Sequence, residues 1–108
     1  MALSKDEVIK IVQEFIQLLR QHYDIREVYL FGSFAKGTAK EYSDIDLAVV
    51  LGKVDQSIDP INNEFFKIFH EAQKYNSLLE VVCFNQEEFD KNGGVLIKHI
   101  KKEGIKLV

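Results

Sequence analysis

The run Ile45-Asp46-Leu47-Ala48-Val49-Val50-Leu51 has no polar residue after Asp46. Side chains of a strand alternate between its two faces, so a run apolar on both faces must be covered on both. The chain therefore needs a central strand inside a layered fold, with helices as the covers. Three segments have the required amphipathic spacing. Ser4 to His22 carries Val8, Ile11, Val12, Phe15, Ile16 and Leu19 on one stripe, and Ser4 with Glu7 forms a capping box at its start. A second helix is expected from Pro60, with Asp59 as its N-cap. Its buried stripe would be Ile61, Phe65, Ile68, Phe69 and Ala72, and Phe66 is also read as core. Val95 to Lys102 forms the last helix, with Val95, Ile97 and Ile100 as core contacts.

Two further strands are expected at Glu27–Phe31 and Leu78–Phe84. Gln86 to Asp90 reads as a short helix or turn, and Asn92-Gly93-Gly94 as a break. Ile105 to Val108 can add a short edge strand after Gly104. About twelve residues join the first two strands, which suits antiparallel pairing and argues against a doubly wound parallel sheet. The fold class is α+β, in an α/β-type sandwich: a small mixed or antiparallel sheet flanked by helices. With 108 residues, 46% of them apolar, the chain is expected to be a single domain, 1–108, with a real core.

Charge and cysteine content narrow the function classes. A net charge of −3, from 14 basic and 17 acidic residues, gives no general attraction to nucleic acid or anionic membranes. The lysines Lys91, Lys98, Lys101, Lys102 and Lys106 read as a solvated helix face. The single cysteine, Cys83, excludes an internal disulfide framework and a cysteine zinc site, and reads as a small core residue. His22, His70 and His99 lack metal-ligand spacing. No apolar run approaches the ~20 residues of a membrane span, and no signal peptide is evident, so a cytoplasmic location is expected.

The chemistry concentrates between the first two strands. Gly32-Ser33 follows the first; ten residues later, Asp44-Ile45-Asp46 opens the second. Glycine lets backbone approach a phosphate closely, and Ser33 adds a hydroxyl at an expected helix start. Asp44 and Asp46, two apart on a strand, leave the same face. Two hard oxygen ligands side by side suit Mg²⁺ when substrate phosphates complete its shell. Glu80 is a lone charge within the apolar strand Leu78-Leu79-Glu80-Val81-Val82, costly there without a partner. A phosphate cradle beside paired carboxylates reads as phosphoryl or nucleotidyl transfer.

Gly32-Ser33, ten residues, then Asp44-Ile45-Asp46 resembles the DNA polymerase beta nucleotidyltransferase superfamily, in particular its minimal stand-alone branch. The closing run Ile97-Lys98-His99-Ile100-Lys101-Lys102-Glu103-Gly104-Ile105 is also similar to that branch. The resemblance implies a polymerase beta palm-like fold. It implies that Gly32 and Ser33 hold the β- and γ-phosphates of ATP, and that Asp44, Asp46 and Glu80 bind two Mg²⁺ ions and carry the catalysis. Glu80 stands where the family usually has aspartate. Phe34 stands where it often has arginine, and Lys36 is the replacement phosphate cation. Ser43 belongs to the same nucleotide-binding set and is favoured as a partner orienting Asp44. Tyr42 can stack on a base or pack the loop.

Small members of this branch pair with a helical HEPN-type toxin, as its antitoxin. The resemblance therefore implies transfer of AMP to a hydroxyl on a partner protein. Two other function classes stay open: a non-catalytic module that neutralises its partner by contact, and an ATP-binding regulator without transfer. Whether Glu80 joins the two aspartates discriminates the first of these from an enzyme.

Overall fold

A computed structural model describes residues 3–40, 43–53, 63–91 and 93–108. Its centre is a four-stranded sheet of order β3-β2-β1-β4, with β1 Ile25–Phe31, β2 Ile45–Leu51, β3 Leu79–Asn85 and β4 Ile105–Lys106. β1 pairs antiparallel with β2 and β4, and β2 pairs parallel with β3. The sheet is therefore mixed, with β2 inside it and buried at every position from Leu47 to Leu51.

Helices cover both faces. On one, α1 (Lys5–Arg20) and α3 (Glu64–Tyr75) lay Val8, Val12, Phe15, Ile16, Leu19, Ile68 and Ala72 against Leu47, Val49, Leu51, Leu79 and Val81. On the other, α4 (Gln86–Asp90) and α5 (Gly94–Glu103) bury Phe89, Ile97 and Ile100 against Ala48, Val50 and Phe84. The pairing register of β1 shifts between Ile25 and Glu27. The extra residue explains how Ile25 and Val28, three apart, reach the same core.

The capping box at α1 is present in full: Ser4 Oγ accepts from the Glu7 backbone N–H, and the Glu7 carboxylate accepts from that of Ser4. α3 has Asn63 as its N-cap, accepting from the Phe66 backbone N–H. The expected start at Asp59 and Pro60, and Ile61 on the stripe, lie outside the described residues, as does Tyr42.

Three apolar residues expected in the core are exposed: Phe66 (44%), Phe69 (40%) and Val95 (86%). Residues 65, 66, 68 and 69 of α3 are all apolar, so their spacing allows several stripes; the sheet selects the one through Ile68 and Ala72. The two displaced phenylalanines instead flank His70, with ring centroids 4.3 and 5.8 Å away. Val95 falls in the first turn of α5, off the face defined by Ile97 and Ile100. Cys83 packs against the larger core, and burial pushes its thiol up to about 12. Among the described residues no helix is long and apolar enough to cross a membrane.

Candidate active site

β1 ends at Phe31, which lies opposite Asp46 in the antiparallel ladder. The next residue, Gly32, has φ 75° and ψ −152°. That combination is essentially restricted to glycine. A Cβ at this position would stand 3.0 Å from Cγ of Asp46 and closer still to its Oδ2. The turn therefore requires glycine for its backbone and again for the carboxylate beside it.

Ser33 opens the one-turn helix α2 (Ser33–Lys36). The Lys36 N–H donates to Gly32 O at 3.1 Å, and Thr38 N–H to Ser33 O at 3.0 Å. Gly37 ends the turn in the left-handed region, at φ 77°. Phe34 is only 4% exposed and enters the larger core. The residue that replaces arginine after Gly-Ser is thus an anchor, holding the turn onto the sheet.

The chain then returns to the sheet. Ser43 Oγ accepts from the Lys40 N–H at 2.7 Å, and the Ser43 N–H donates to Lys40 O at 3.0 Å. These two bonds hold Ser43 beside Lys40, immediately before Asp44 and β2. The Ile45 N–H donates to Leu78 O at 2.7 Å and starts the parallel ladder. In that ladder Asp46 is paired with Glu80. Facing residues of neighbouring strands share a sheet face, so the two acids stand side by side. It is the face of Ala48, Val50, Val82 and Phe84, at the end where Gly32 turns.

Asp46 is half-buried, whereas Asp44 and Glu80 are exposed. Burial raises the Asp46 carboxyl above its usual range, and the charges of Asp44 and Glu80 raise it further. The acids thus create a concentration of negative charge that a divalent cation would relieve. Among the described residues no three histidine, cysteine or carboxylate side chains form a ready-made metal cage. Mg²⁺ bound through one or two carboxylates plus phosphate oxygens does not require one. Hard oxygen donors packed directly against the glycine backbone fit a metal-bound nucleotide.

Lys36 does not stand free. Its Nζ lies 3.4 Å from Oε2 of Glu103, at the end of α5, and His99 Nδ1 lies 3.5 Å from the same oxygen. Glu103 has no signal in the Gly-Ser or Asp-x-Asp motif; only the tertiary contact brings it near.

The family model "Polymerase beta, Nucleotidyltransferase" matches residues 13–108. "Putative protein adenylyltransferase MJ0604" of Methanocaldococcus jannaschii is 33% identical over 84 residues, covering 76% of this chain and 78% of that protein. "Putative protein adenylyltransferase MJ1305" of the same organism is 50% identical over 42 residues, where the match spans 37% of this chain but 29% of the relative's length. Among solved structures, a toxin-antitoxin with AMP-PNP aligns at TM-score 0.65 and 24% identity, over 89% of this chain and 71% of that one. A complex of tri-AMPylated Shewanella oneidensis HEPN toxin with MNT antitoxin aligns at TM-score 0.53 and 22% identity, over 94% and 71%. At these identities the structures speak for the fold alone. Family match and fold agree, and the chain belongs to the polymerase beta nucleotidyltransferase family.

Proposed function

We propose that the chain is a Mg²⁺-dependent protein adenylyltransferase, which moves AMP from ATP to a hydroxyl on a HEPN-type toxin and thereby acts as its antitoxin. The observation that carries this reading is the pairing of Asp46 with Glu80 directly beside the Gly32 turn. It sets adjacent carboxylates on one sheet face against a glycine turn whose backbone carries no side chain. The protein adenylyltransferase names of the relatives and the AMPylated toxin complex among the structural neighbours support the choice of AMP and of a protein acceptor.

In this reading the Gly32 backbone and the Ser33 hydroxyl hold the β- and γ-phosphates. Asp44, Asp46 and Glu80 would hold two Mg²⁺ ions, which when bound sharpen the attacking hydroxyl and neutralise charge on the departing pyrophosphate. Glu80 also accepts the proton of the acceptor hydroxyl. The acceptor oxygen bonds to the α-phosphorus as the bond from that phosphorus to the pyrophosphate oxygen breaks. Ser43, held by its bonds to Lys40, orients the neighbouring Asp44.

The test is a transfer assay with α-labelled ATP, Mg²⁺ and the protein encoded beside this one. A labelled partner band is expected with the wild-type chain and none with Asp46→Ala. An unlabelled partner in the presence of bound ATP would overturn the transferase reading.

A further inference from the structure

Lys36 closes α2 one turn after Ser33, and Glu103 closes α5 on the sheet face that carries Asp46 and Glu80. The ion pair between them therefore joins the phosphate turn to the C-terminal helix. Its side chains are 48% and 41% exposed. At such exposure an ion pair adds little to stability. Lysine is a compact charge on a flexible stem, able to exchange one anion for another by rotation. Glu103 has a second partner in reach, since His99 Nδ1 lies 3.5 Å from the same Oε2.

We propose that Glu103 is a positioning residue for the nucleotide: it holds Lys36 in the free protein and yields it to the phosphates of a bound nucleoside triphosphate. The proposal rests on the nucleotide reading of Gly32 and Ser33. A triphosphate seated on that turn presents several negative oxygens near Lys36. Glu103 competes with them for one ammonium group. The ion pair keeps the lysine at the end of α5 before nucleotide arrives, and the competing carboxylate sets how tightly the triphosphate is then held.

Calorimetric titration with ATP and Mg²⁺ tests this. Glu103→Gln should tighten ATP binding roughly two- to fivefold, the range of an exposed ion pair. In a Lys36→Gln background the same substitution should give no gain, because the coupling runs through the lysine. The gain should also shrink from ATP to AMP and vanish for adenosine. That series reads the same coupling without the Lys36→Gln variant. Unchanged affinity in Glu103→Gln would overturn the proposal. So would an equal gain with adenosine, or a gain that persists without Lys36, since either would mark a general effect of the lost charge. A wild-type chain that binds no ATP would remove the nucleotide reading itself, and this proposal with it.

Discussion

The Asp46 carboxylate fills the space in which a side chain on residue 32 would begin. The two residues are linked by the ladder as well, since Phe31, the residue before Gly32, faces Asp46 across β1 and β2. The antiparallel pairing thus fixes how the Gly32 turn and the acid meet, and each restricts what can stand at the other.

Gly32→Ala should therefore damage both fold and site. The backbone at Gly32 is in a region closed to L-residues, which costs about 1–3 kcal/mol. The added methyl group also forces the Asp46 carboxylate aside. A lower melting temperature and at least a tenfold loss of Mg²⁺–ATP affinity are expected. Gly37→Ala is the matched control: its φ is also positive, at 77°, but nothing lies within 4 Å of an added Cβ. It should lose about 1 kcal/mol of stability and keep its affinity.

Asp46→Asn should stabilise the metal-free protein at neutral pH while abolishing its response to Mg²⁺–ATP. Burial, Asp44 and Glu80 raise the folded Asp46 carboxyl above its ordinary 3.8. The folded state therefore binds this proton more tightly than the unfolded chain does. That contribution to stability is complete below pH 3.8 and is lost as pH rises through the higher, folded value. Above that window the ionised carboxylate opposes folding. Melting in chelator-treated buffer should show an increase on the order of a few degrees for Asp46→Asn, and a smaller one for Glu80→Gln. Mg²⁺ with ATP should then raise the wild-type midpoint and leave that of Asp46→Asn in place.

Much of this arrangement could be read from the chain. The Ser4–Glu7 capping box, the two-sided burial of β2 and the isolated charge of Glu80 each follow from local chemistry that tertiary structure did not override. Other features depend on long-range choices. Strand alternation says that Glu80 points with Val82, but the Asp46–Glu80 pair also needs the parallel register of β2 and β3. Phe66 and Phe69 were indistinguishable from core residues because neighbouring apolar positions blur the helical period. The motif offers Lys36 as a phosphate cation, but its pairing with Glu103 depends on the return of α5.

The second core layer gives a stability prediction remote from the acids. Phe89 is 1% exposed, with ring centroids 5.3 Å from Tyr29 and 5.7 Å from Phe84. Lys101 Nζ lies 4.6 Å from the centre of its ring. Phe89→Ala removes a large side chain from a core built of few residues. Denaturant unfolding should register a loss of about 3–5 kcal/mol. A loss below 1 kcal/mol would mean that α4 does not cover the sheet as described.

Catalysis and contact make opposite demands on Asp44 and Asp46 in a cell that carries the toxin. Neutralisation by contact needs only the surface, which Asp44→Asn with Asp46→Asn leaves almost unaltered in shape. In the proposed reading adenylyl transfer needs their charge, because electrostatic stabilisation of the reacting phosphate would depend on the metals they would hold. Co-expression of partner and chain separates the two. The wild-type chain should permit growth; the double variant should fail to protect while still co-purifying with the partner. Co-purification shows that the variant is folded and bound, so its failure locates protection in the chemistry. Equal protection by wild type and double variant would assign the antitoxin action to contact, leaving the acids without a part in it.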